Sequence, residues 1–155
     1  MVTVSDPAWR RGYALLGENT TNPPPQVDQR FKEMLTDCLC FPEKHGLSFD
    51  LQVHWWHLDE AAQLAHDFPN IPIVLNHTGL PADRRETGLT GWRAALETLA
   101  AEPNTFLKIS GIGVVDPSGN KWSVDLQRRV VKEALEVYGS ERCMFASESS
   151  SNPNP

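Results

Sequence analysis

The chain is poor in cysteine, in clustered basic residues and in long apolar runs. It carries three cysteines, Cys38, Cys40 and Cys143, in 155 residues. Their odd number, and the single residue between the first two, fit neither a disulfide framework nor common zinc spacing. A reducing, cytoplasmic setting is therefore expected. No group of Lys and Arg marks out a face, and the net charge is −6. Nucleic acid and anionic membrane surfaces are thus poor partners. No apolar run approaches the roughly 20 residues that span a bilayer. The first residues, Met-Val-Thr-Val-Ser-Asp-Pro, lack a basic region followed by an apolar one, so a signal peptide is not expected. Without secretion, the sequon Asn19-Thr20-Thr21 reads as chance.

What is present is a regular alternation in the second two thirds of the chain. Its length suits one domain with a real core but falls short of the roughly 250 residues of a complete eight-fold β/α barrel. Ser5-Asp6-Pro7 reads as a helix start, with a short helix to Leu16. The Asn-Pro-Pro-Pro run at 22–25 cannot continue a helix, and 28–40 has moderate helical periodicity. From His45-Gly46 onward, strands are predicted over 47–53, 71–75, 105–109 and 143–146. Helices are predicted over 58–68, 90–101 and 123–138. The loop at 80–87 and the loop at 111–121 join them. Strand and helix alternating at short connections predict an α/β fold of parallel βαβ units with right-handed crossovers. Three segments follow: 1–43, a helix, a Pro-rich loop and an atypical insert; 44–148, the βα units; and 149–155, a tail with nothing to pack.

The most informative stretch is Ile71-Pro-Ile-Val-Leu-Asn-His-Thr-Gly79. An apolar run closed by polar residues reads as a buried strand of a parallel sheet. His77 then stands at its carboxyl end, where such sheets display reactive groups. Phe49-Asp50-Leu51-Gln52-Val53 precedes it. Lys108-Ile109-Ser110-Gly111 and Arg142-Cys143-Met144-Phe145-Ala146-Ser147 follow. In that order and spacing the segments resemble the amidohydrolase-related family, in its lactonase-like branch, continuously from Lys44 to Ser147 and weakly over Ser5 to Leu16.

The resemblance implies a partial TIM-type (β/α)8 barrel, with these four strands as the fifth to eighth. It also implies hydrolysis of a lactone of a sugar acid or of a carboxylated substrate. The family's first-strand His-x-His pair has no counterpart upstream of Lys44. Residues 17–43 interrupt a junction that is direct in relatives, and the sequence after Ser147 departs from theirs. The expectation is an imperfect gene model or a decayed gene for the carboxyl half of a barrel.

Lactone hydrolysis requires an activated water, a polarised carbonyl and a protonated leaving alkoxide. His77 matches the family's sixth-strand histidine, implying carbonyl polarisation or metal ligation. Otherwise it would simply close the sheet end with a hydrogen bond. Glu148 stands where many relatives carry an aspartate, the implied general base, and is otherwise a solvated tail residue. Its extra methylene shifts the carboxylate by about an ångström, a displacement that can cost roughly 10²-fold in rate.

His54 and His57, three apart, are candidates for one side of a helical turn, facing substrate or metal. Trp55 and Trp56 between them read as apolar walls. Lys108 and Ser110 share one side of a strand. Lys108 would bind a substrate carboxylate or form an internal salt bridge. Arg84 and Arg85 would orient an acidic substrate or lie in a solvated loop. His45 and His66 read as surface residues, and Cys143 as core packing.

The cofactor expectation is none, or one divalent metal such as zinc with His77 as ligand. The competing readings are a metal-dependent decarboxylase of the same superfamily and a non-catalytic barrel fragment. Such a fragment would form a homo-oligomer through exposed barrel edges.

Overall fold

A strand inside a parallel sheet must be apolar on both faces, because helices or a barrel interior cover each of them. Ile73-Val74-Leu75 meets that condition and is fully buried along its length. The computed structural model describes Leu39, Pro42, residues 44–112 and residues 124–146. The expected helices over 8–16 and 28–40, the Pro-rich loop, most of the loop after Ser110, Glu148 and the tail lie outside the described residues, apart from Leu39, which is helical and buried.

The order is β1 (Phe49–Leu51), α1 (Leu58–Asp67), β2 (Ile73–Leu75), α2 (Glu86–Ala100), β3 (Thr105–Ile109), α3 (Val124–Tyr138) and β4 (Cys143–Phe145). The strands form one sheet in the order β1-β2-β3-β4. Each neighbouring pair is parallel, with Leu51, Leu75 and Leu107 in one row across the first three strands. Strands added in sequence order, with a helix between each consecutive pair, form a sector of a β/α barrel.

One sheet face contributes Leu51, Ile73, Leu75, Leu107 and Ile109 to the core. The helices meet it with Leu58, Ala61, Ala65, Trp92, Leu96, Leu99, Val130 and Ala134. Helix α2 packs against both α1 and α3. The opposite face carries Asp50, Val74 and Phe106 in register, then Lys108 beside Met144. At the β4 edge Met144 and Phe145 are 39% and 76% exposed.

Several boundaries differ from the sequence reading. The strand expected from Ile71 starts at Ile73, because Pro72 has no N–H for a ladder and serves as an acceptor for Phe49 N–H at 2.8 Å. Helix α2 starts at Glu86 rather than Thr90. Glycines at 88 and 91 lower local propensity, but contacts override it. Glu86 forms two hydrogen bonds to Arg129 of α3, at 2.6 and 3.0 Å. Gly88 lies so close to Asp83 that an added Cβ would meet its Cγ at 2.6 Å. Val124, expected to make apolar contacts, is 57% exposed at the first position of α3. Cys143 is half-buried at the start of an edge strand, and burial raises its thiol pKa. No described helix is long and apolar enough to cross a membrane.

The amino-terminal edge of the sheet is held by polar pins. Asn104 Nδ2 donates to the carbonyls of Ala65, Phe68 and Ile71, each at 3.0 Å. Three acceptors around one nitrogen require the NH2 group there. Arg142 Nη1 donates to the carbonyls of Ala100 and Glu102, at the end of α2, at 2.9 and 3.3 Å. Thr105 Oγ1 lies 3.0 and 2.8 Å from the carbonyls of Leu99 and Glu102, which share its one proton. Asn104→Ala should therefore cost about 1–3 kcal/mol, the penalty of orphaned buried acceptors. Asn104→Asp should cost more, because a carboxylate would face three carbonyls. Urea denaturation of both variants tests this, and equal stability of Asn104→Asp and the parent would remove the pin.

Candidate active site

The backbone reverses hand where β2 ends. Asn76 is extended, and its N–H donates to Leu51 O at 2.8 Å. His77, Thr78, Gly79 and Leu80 then all have positive φ, at 55°, 53°, 70° and 52°. A left-handed helical conformation costs roughly 1–2 kcal/mol for each non-glycine residue. Strain of this kind persists only where surroundings over-determine it, and it concentrates at functional sites.

The surroundings here are specific. Leu80 N–H donates to His77 O at 2.9 Å and Gly79 N–H to Asn76 O at 3.2 Å. The fully buried Trp92 of α2 donates its indole N–H to Thr78 O at 2.7 Å. Thr78, itself buried, donates its hydroxyl to His77 O at 2.6 Å.

The turn brings His77 to the end of β3. Its backbone N–H donates to Ser110 Oγ at 3.3 Å, and its Nδ1 lies 3.1 Å from the same oxygen. Ser110 is 4% exposed. Gly111, with φ 63°, lies under the imidazole; a Cβ there would stand 2.8 Å from His77 Cβ and 2.9 Å from Nδ1. A side chain at 111 and the observed ring position exclude each other. The role of Gly111 was not read from the sequence. The signal available was a glycine immediately beyond a strand end already carrying serine.

The other expected residues fall in three places. Lys108, two residues before Ser110, forms an ion pair with Asp50 at 2.8 Å, bridging β3 and β1 across β2. The internal salt bridge is thus present on the sheet face away from the helices. Arg84 donates to Gln127 of α3 at 3.2 Å, which ties the loop after β2 to a helix. Arg85 is exposed and wraps Asp83 with three hydrogen bonds, whose strongest effect is to hold that carboxyl below its usual range.

His54 and His57 occupy the turn after β1. His54 is the extended residue before the 3₁₀ turn Trp55–His57, and its ring stacks on Trp56 at 4.3 Å. His57 N–H donates to His54 O at 3.0 Å, closing one turn, and the proximity of His57 adds to the burial that lowers the His54 pKa. Trp55 packs against α2 where Gly91 leaves room; a Cβ there would meet its ring at 3.0 Å. The same residue approaches Gly79, which links this turn to the one holding His77. His45 is exposed, and His66, also exposed, lies 3.6 Å from Glu102.

Among the described residues, no three His, Cys, Asp or Glu side chains converge on a possible metal position. His77 offers one imidazole, but the described residues do not complete a metal site around it.

With this geometry in hand, comparison identifies the family. The sequence profile of the Amidohydrolase family matches residues 7–150, and the chain belongs to that family. It is 41% identical to an uncharacterized protein of Sinorhizobium fredii, y4mH, over 85% of this chain and 40% of that protein. It is 39% identical to an L-fucono-1,5-lactonase of Burkholderia multivorans over 49% of this chain and 28% of the lactonase. The chain thus spans less than half the length of these curated relatives.

The crystal structure of an amidohydrolase from B. multivorans, with bound HEPES, superposes with a TM-score of 0.68 at 25% identity. The match covers 81% of this chain and 48% of that one. A second crystal form of that target contains zinc; at 20% identity and a TM-score of 0.68, covering 94% of this chain and 55% of that one, it speaks to the fold alone. These neighbours are TIM barrels, and the parallel sheet described above is a sector of that fold.

Burial lowers the pKa of both His54 and His57, with Glu60 partly opposing the shift at His57. Each folded-state pKa lies below the ordinary value of about 6.5. Their contribution to stability is fully present above that value and is lost as pH falls through the window below it, where the unfolded chain takes up protons first. The urea midpoint should therefore drop as pH falls below about 6.5, and His57→Gln should flatten the drop. An identical pH slope in parent and variant would place the titration elsewhere.

Proposed function

We propose that this site belongs to a lactone hydrolase acting on a sugar-acid lactone or a carboxylated lactone. The carrying observation is His77, held at a strand's carboxyl end by a strained turn, Ser110 and Gly111. The named lactonases among the relatives support the same reaction class. In this reading a water oxygen adds to the lactone carbonyl carbon, the ring C–O bond breaks, and the departing alkoxide takes a proton to give a hydroxy acid. His77 stabilises the oxygen that gains charge.

Glu148 is proposed as the base that takes the proton from water. Lys108 is proposed to meet a substrate carboxylate by exchanging it for Asp50, and Arg84, His54, His57 and Ser110 to surround the substrate. A divalent metal such as zinc is a proposed cofactor for the whole enzyme, with His77 as its candidate ligand. Turnover of a lactone panel that includes L-fucono-1,5-lactone, followed by acid release with and without added zinc, tests the proposal. His77→Gln should lower kcat/KM about 10²–10³-fold. Absence of turnover under every condition, or a His77→Gln variant as active as the parent, would overturn it.

The exposed Phe145 favours a second reading, self-association through the β4 edge. Sedimentation should then show a concentration-dependent oligomer that Phe145→Glu shifts to monomer. A parent chain that is monomeric at every concentration removes this reading.

A further inference from the structure

We infer that Ser110 and Gly111 are positioning residues that hold neutral His77 as the Nε2–H tautomer, so that its outer nitrogen acts as a hydrogen-bond donor. This rests on the lactonase reading only for its use, not for its geometry. A serine hydroxyl has one proton to donate and two lone pairs. The His77 backbone N–H can only donate, so its 3.3 Å bond occupies one lone pair of Ser110 Oγ. Two arrangements remain for the 3.1 Å contact with Nδ1.

If Nδ1 carried the proton, it would donate to the second lone pair, and the hydroxyl proton would need another acceptor. Among the described residues Ser110 has none, and at 4% exposure it has little access to water. A buried donor left unmade is strongly disfavoured. If the hydroxyl instead donates to Nδ1, both Ser110 contacts are satisfied at once. Neutral imidazole then carries its proton on Nε2.

Gly111 makes this arrangement sterically available. Its missing Cβ is what allows the imidazole to lie over the β3 terminus within reach of Oγ. The positive φ of 63° suits glycine as well. Two consecutive residues thus set both the place of the ring and the side on which it can donate. Nε2–H is the form that polarises a carbonyl oxygen. A metal bound at Nε2 would require the other tautomer and would release the Ser110 bond as drawn.

The ¹⁵N spectrum of the histidine side chains of the full chain, recorded at about pH 8, above the ordinary imidazole value, tests this without any substrate. The His77 resonance is assigned by its loss in His77→Gln. The expected result is a protonated Nε2 and an unprotonated Nδ1. Ser110→Ala should give a mixture of tautomers, while Ser110→Thr, which keeps the hydroxyl, should retain the parent pattern. Gly111→Ala should shift the His77 signals and leave those of His45 and His66 in place.

A parent His77 protonated on Nδ1 overturns the inference, and that measurement needs no variant to fold. Ser110→Ala with the parent tautomer overturns the role of the hydroxyl. A parent showing Nε2–H but no lactone turnover leaves the inference standing and removes the lactonase reading.

Discussion

The left-handed turn at 77–80 is the constraint on which the site depends. Three of its four residues are not glycine, and a left-handed conformation of that length is adopted only under external compulsion. The compulsion comes from three directions. Strand β1 takes the Asn76 N–H, α2 supplies the Trp92 indole to Thr78 O, and β3 supplies Ser110 to His77. Each contact comes from a different element, so the turn depends on the sheet and α2 together. The strain is thus supported by the core, and the core in return fixes the position of one imidazole.

The two edges of the sheet are built by different rules. At the amino-terminal edge, Asn104, Thr105 and Arg142 use their donors on main-chain carbonyls at the ends of helices and turns. Those side chains satisfy the backbone and leave little polar capacity for anything else. At the carboxyl edge, side chains meet the backbone, as Trp92 and Thr78 do, but also one another: His77 with Ser110, and Lys108 with Asp50 one layer below. A side chain that satisfies another side chain can exchange partners without breaking the backbone. The carboxyl edge thus carries exchangeable side-chain pairs, whereas Asn104, Thr105 and Arg142 at the amino-terminal edge are committed to the backbone.

Much of the fold was legible because the period of apolar residues reports burial directly. The strand at 105–109 and the end of α3 at Tyr138, capped by Gly139, coincide with the sequence reading. The inward faces of α1 and α2 follow the same periodicity, with Leu58, Ala61, Ala65, Trp92, Leu96 and Leu99 all buried. The start of α2 was not legible. Its first turn is held by Glu86–Arg129 and by the fit of Gly88 to Asp83, both set by residues distant in space rather than by local pattern. Of the site, His77 was visible from its place at a strand end. The left-handed backbone was not, because Thr78 and Leu80 carry no propensity for it. Nor was the second function of Trp92, which periodicity marks only as core; no pattern in one dimension records which carbonyl an indole will meet.

The Lys108–Asp50 pair adds a last constraint on what the sheet can do. Both groups lie on the face away from the helices, and the side chains are 19% and 38% exposed. A pair so placed has a modest net value, because partial solvation offsets much of its attraction. Removing one partner is different: it leaves a half-buried charge without its counterion, next to the apolar Val74 and Phe106 of the same face. The pair therefore holds Lys108 in place across β2 at little energetic depth. An anion arriving at this face would find an ammonium already oriented and an Asp50 with enough exposure to turn toward water. The ion pair and the imidazole are thus held by different means: Lys108 by one opposite charge across β2, and His77 by backbone and side-chain contacts from three elements.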